Sequence, residues 1–165
     1  MISKTIEKDK PSIFFKTTAQ LSHVEKWVEF IQENSRNTQL TVMFKLGKYY
    51  QGEGDLEVLR PGFKDYWKNL LGPKALFGLF FNQDIGTVFV TGPYSPVFLQ
   101  EVDGKKLGAM SEGIYGILRG LGLNDNETTL AITKLAEGRF LLLCKTWLTK
   151  EDHTKYFNVN PNRIL

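Results

Sequence analysis

Ile85-Gly-Thr-Val-Phe-Val-Thr-Gly92-Pro93 opens the stretch whose reading decides the fold. A glycine-dotted helical pattern follows. Then come the connector Gly120-Leu-Gly-Leu-Asn-Asp-Asn126, a second helical pattern, and Gly138-Arg-Phe-Leu-Leu-Leu-Cys-Lys-Thr-Trp147. Residues 87–91 are β-branched and aromatic and are stopped by a Gly-Pro pair, so they predict a strand. Over residues 105–121, Leu107, Met110, Ile114, Ile117 or Leu118, and Leu121 recur at helical spacing and predict one long helix with a buried stripe. Gly108, Gly113, Gly116 and Gly120 interrupt it, each at about 1 kcal/mol relative to alanine in a helix interior. Such a cost predicts that another element approaches closely there. Asn124 and Glu127 stand at capping-box spacing. Gly138 stands where a helix takes its left-handed C′ residue. Residues 140–144 are apolar throughout, as in a central strand covered on both faces.

Working outward, residues 1–10 are polar and read as a peripheral tail, and 149–165 as another, anchored by Tyr156, Phe157, Ile164 and Leu165. Residues 12–17 predict a first strand. Ser22 with Glu25 is a second capping-box spacing. Leu21, Val24, Trp27, Val28 and Ile31 then share one helical face. Residues 38–44 alternate around Leu40, Val42 and Phe44 and predict a half-buried strand. The span 47–83 reads as an insertion. It holds a glycine-rich polar loop, a helix at 63–71 broken by Gly72-Pro73, and a second short apolar helix at 74–81. The order β-α-β, insertion, β-α-α-β predicts a single α+β domain over 1–165. Its sheet is expected to be a ferredoxin-like split βαβ arrangement with a helical insertion between strands 2 and 3.

The composition narrows the function classes. The chain has 165 residues, 42% hydrophobic and 24% charged, enough for one sizeable core. Its net charge is +3, with basic residues scattered among acidic ones, so no nucleic-acid stripe is expected. Cys144 is the only cysteine, which excludes an internal disulfide and thiolate metal clusters. The N-terminus carries no apolar h-region, and no apolar run approaches the ~20 residues that span a bilayer. A cytoplasmic protein is expected. Membrane association is not, because the basic face around Trp67, Lys68, Lys74 and Phe77 is thin.

The second half resembles the glycine-rich general stress protein family of bacteria, small heat-induced cytoplasmic proteins. The resemblance rests on Val88-Phe-Val-Thr-Gly92-Pro93, the small-residue helix from Gly108 to Gly120, Gly120-Leu-Gly-Leu-Asn124 and Glu137-Gly-Arg-Phe-Leu-Leu-Leu143. It implies a stress-linked role and supplies no catalytic residues. The family's glycine and alanine tract is replaced here by the aromatic segment 63–81.

Candidate chemistry is sparse. His23 and His153 read as two surface histidines without metal-site spacing. Cys144 reads as a buried structural thiol. Gly104-Lys105-Lys106 reads as a solvated turn before a helix, since no phosphate-loop motif surrounds it. Glu53, Asp55 and Glu57 lack a calcium-loop ladder. No catalytic residue, metal or cofactor is assigned. Phe63, Tyr66, Trp67, Leu70, Phe77, Phe80 and Phe81 form either an interaction surface or extra core over one sheet face. Lys45, Tyr49, Tyr50, Tyr94 and Tyr115 are the candidates for a ligand pocket between sheet and helices. The expected function is a non-catalytic, stress-linked or regulatory interaction module that self-associates. The alternatives are a small-molecule-binding protein or enzyme with a pocket between sheet and helices, and, ranked last, a peripheral membrane-binding protein.

Overall fold

The computed structural model describes residues 7–34, 38–47 and 62–148. Its elements in chain order are β1 (Glu7–Thr18), α1 (Leu21–Asn34), β2 (Thr38–Lys45), α2 (Phe63–Leu71), β3 (Phe77–Asn82), β4 (Gly86–Thr91) and α3 (Ser95–Leu99). The short hairpin β5 (Glu101–Val102) and β6 (Lys105–Lys106) and a 3-10 turn (Leu107–Ala109) follow. Then come α4 (Gly113–Leu121), α5 (Asp125–Ala136) and β7 (Phe140–Leu148).

The fold is α+β, with one five-stranded antiparallel sheet of order β1-β7-β2-β4-β3. Because β1 and β2 both run antiparallel to β7, they run the same way, with β7 between them. By the same geometry β4 and β7 run together with β2 between them. Two split strand–helix–strand units are therefore interlocked. Here the chain's last strand enters the first unit, so the order is not clearly the ferredoxin-like one.

The alternating side chains of the sheet feed two cores. On one face, Val24, Trp27, Val28 and Ile31 of α1 and Trp67 of α2 close over Leu40, Val42, Leu79, Phe89, Leu142 and Cys144. On the other, Phe98, Ile114, Leu118, Ala131 and Leu135 from α3, α4 and α5 cover Met43, Phe80, Val88, Val90, Leu141 and Leu143. With both faces covered, β7 can be apolar throughout, as its sequence predicts. Among the described residues no helix is long and apolar enough to cross a membrane.

Local chemistry explains the boundaries. Asn124 accepts from Glu127 N–H at 2.8 Å while the Glu127 carboxylate accepts from Asn124 N–H at 3.0 Å, the capping box that its spacing predicts. Gly138 takes φ 91° as the C′ residue, and Arg139 N–H donates to Lys134 O.

Several expectations are corrected. Residues 74–81 are not a helix: β3 pairs with β4 through the turn at Gln83–Ile85. The Asn82 side chain accepts from Asp84 N–H at 2.9 Å and fixes that turn. A short apolar run does not by itself separate strand from helix, and pairing decides. The supposed insertion thus supplies an edge strand of the main sheet. Residues 105–121 are not one helix. Asp103-Gly104, both at positive φ, turn the β5–β6 hairpin, and the helix starts only at Gly113. Ser22 lies inside α1 rather than before it, and residues 7–10 belong to β1 rather than to a tail. The close approach expected at the glycines holds at Gly108, against the Phe80 ring, and at Gly113, against the Leu107 carbonyl. Gly116 and Gly120 face open space. The readings at Glu53, Asp55, Glu57 and 149–165 lie outside the described residues.

Candidate functional site

Two Gly-Pro pairs meet at one end of the sheet. Gly72-Pro73 terminates α2, and Gly92-Pro93 terminates β4. The Leu76 carbonyl accepts from Gly92 N–H at 2.8 Å, Thr91 Oγ1 at 3.0 Å and Ser95 Oγ at 3.2 Å, which pins the connector after α2 to the turn after β4. Gln32 Nε2 donates to Leu70 O at 3.0 Å and ties the end of α1 to α2. Between these ties lies a groove of about 480 Å³, lined by Ile31, Leu40, Leu71, Pro73, Leu76 and Pro93 with the polar Gln32, Thr38 and Gln39. Among the described residues Lys74 is the one charged residue in its lining. Leu76 stands at this groove 55% exposed. Apolar side chains, amides and an ammonium are groups that can hold a ligand or a partner.

The aromatic segment divides by residue. Trp67 and Phe80 are fully buried, and Phe63, Tyr66, Leu70 and Phe77 pack on the α1–α2 core. Phe44, Phe63, Trp67 and Phe89 meet ring to ring at centroid distances of 4.9–6.3 Å. Phe81, at 44% exposure, stays outside. A short domain with this many rings buries them, because each removes a large apolar area from water.

The expected ligand residues are spread apart. Lys45 Nζ reaches Ala136 O at one end of the sheet. Tyr94 lies at the other, its N–H donating to Thr41 Oγ1 and its ring under Lys145. Tyr115 donates to Asp125 across α4 and α5. None of the three lines the groove. Tyr49 and Tyr50 lie outside the described residues.

Cys144 sits in the middle of the sheet, where burial pushes its thiol up to about 12. His23 is not a surface histidine. It is only 9% exposed, and its Nδ1 is 2.9 Å from Thr18 Oγ1. Among the described residues no group of His, Cys, Asp and Glu could hold a metal ion.

The sequence pattern covers Leu71 and Leu76 only within the aromatic segment 63–81 and does not place Ile31, Leu40 or Pro93 at a site. The available signal was the repeated Gly-Pro: two element-ending breakers mark two connectors, and here they face each other. No protein family, curated protein or solved structure matches this chain.

Proposed function

We propose that this chain is a non-catalytic interaction module that self-associates through the groove beside Leu76. The carrying observation is an exposed leucine next to an apolar recess on one patch. A twofold interface needs such a self-complementary patch, since each copy presents the same surface to the other. Among the described residues the lining carries one charge, at Lys74, which keeps their desolvation cost low. In this reading the protein works in the cytoplasm, and the resemblance of residues 85–147 to glycine-rich general stress proteins supports a stress-linked role. The two split strand–helix–strand units are its ferredoxin-like component.

Sedimentation equilibrium of the wild type and Leu76→Asp tests this. Because Leu76 is exposed, the substitution is expected to change stability by no more than about 0.5 kcal/mol. The wild type should dimerise, and the variant should dissociate at least about tenfold more readily. A wild type that remains monomeric, or a variant that dimerises equally well, overturns the reading.

A second reading has one observation behind it. The groove volume falls within the roughly 300–1,000 Å³ of small-ligand sites. An apolar ligand that binds the monomer and shifts Leu76 and Leu40 resonances would favour it.

A further inference from the structure

At the opposite end of α1 from the groove, a polar notch of about 220 Å³ is lined by Thr18, Gln20, His23, Trp27 and Arg139 among its residues. Two features of it are unusual. His23 Nε2 and Arg139 Nε are both shielded from solvent, and neither has a hydrogen-bond partner among the described residues. A buried polar nitrogen left unpaired is unfavourable, and native chains rarely keep two in the lining of one notch without something that satisfies them.

Among the described residues no carboxylate lines the notch. The first turn of α1 contains no acidic side chain to offset its positive dipole end. Lys16, on β1, holds its ammonium 5.6 Å from the Trp27 ring centroid. Glu25, the acidic residue one turn further along α1, is engaged by Tyr66. Arg139 is held in place by its position just after Gly138, with its N–H on Lys134 O.

The imidazole is oriented as well. Thr18 Oγ1 accepts from Gln20 N–H at 3.2 Å and stands 2.9 Å from His23 Nδ1. A hydroxyl that accepts there and gives its own proton to Nδ1 leaves the proton of a neutral ring on Nε2, as a donor. A protonated ring also donates from Nε2.

We propose that this notch binds a phosphate group, with Arg139 and His23 as side-chain donors and the N-terminal end of α1 as its electrostatic base. The imidazole and the helix N-terminus come from the start of α1, and the guanidinium from the residue just before β7. That arrangement serves the several oxygens of a tetrahedral phosphate better than the two coplanar oxygens of a carboxylate. At about 220 Å³ the notch admits a phosphate with room to spare, so the ligand is inorganic phosphate or a phosphate monoester.

The test is a titration of the full-length protein with inorganic phosphate, followed by the side-chain nitrogen resonances of His23 and Arg139. Sodium acetate and sodium chloride at matched ionic strength are the controls. Phosphate should give saturable shifts at both side chains, and acetate and chloride should not. Arg139→Gln, shown folded by its amide spectrum, should bind about tenfold more weakly, as expected for losing one charge-assisted donor. A phosphomonoester such as glycerol phosphate separates the two ligand sources by binding as well as, or better than, phosphate alone. The wild-type titration decides without any variant. Unsaturable shifts, an equal response to acetate, or undiminished binding by folded Arg139→Gln overturns the proposal.

Discussion

The Tyr66 hydroxyl donates to the Glu25 carboxylate at 2.7 Å, and this bond joins α2 to α1 over the aromatic core. With the bond from Gln32 to Leu70 O, it holds the wall against which the groove forms. Removing the hydroxyl in Tyr66→Phe should cost about 1 kcal/mol, because the bond is charge-assisted but partly open to water. Urea unfolding at pH 7 measures this.

Alkaline pH should weaken the fold. Burial and the Glu25 carboxylate raise the Tyr66 phenol well above its ordinary 10.0. A raised folded-state value means that the unfolded chain loses the proton first. The stabilising contribution is complete below pH 10.0 and is lost as pH rises further. Cys144 has the same sign, between its ordinary 9.0 and about 12. Burial lowers Lys16, which acts in the opposite sense. The difference between variants isolates each group: Tyr66→Phe should lose less stability than the wild type above pH 10.0.

The Cys144 thiol should be inert in the folded protein. It is fully buried in the sheet, and little thiolate forms at neutral pH. Labelling by Ellman's reagent at pH 8 should follow the rate of opening and accelerate with urea. Labelling as fast as that of a free thiol would contradict this placement.

Two glycines should respond in opposite directions. Gly92 has φ 121°, and a Cβ there would run into the Leu40 carbonyl and the Thr41 backbone. Gly92→Ala should cost about 3 kcal/mol or prevent folding. Gly116 sits inside α4 with open space around it. Gly116→Ala should stabilise by up to about 1 kcal/mol and raise Tm by about 2–4 °C, read by calorimetry.

Within the aromatic segment, burial should order the losses. Trp67→Ala removes a fully buried ring in contact with Phe44 and Phe89 and should cost about 3–5 kcal/mol. Phe81→Ala, at an exposed position on β3, should cost less than about 1 kcal/mol. Equal losses at the two positions would contradict the division of the segment.

The parts of the fold that local chemistry controls were legible. The capping box at Asn124, the C′ glycine Gly138 and the apolar run of β7 each announce themselves within a few residues. What depends on pairing was not. Residues 77–82 become a strand because β4 lies beside them, and β7 stands between β1 and β2 by pairing with both over a long range of sequence. His23 looked like a surface residue at a helix start. The docking of α1 on the sheet, together with Thr18, buries it. The groove was visible only as two separate Gly-Pro breakers, since nothing in either connector encodes its distance from the other.

The central claim is that the patch around Leu76 is where two copies meet. An amide chemical-shift series from dilute to concentrated protein tests it most directly. Concentration-dependent shifts confined to residues 71–76, 92–93 and 38–40 are expected, and they should be absent in Leu76→Asp. Shifts centred on another surface, or none across the range, would contradict it.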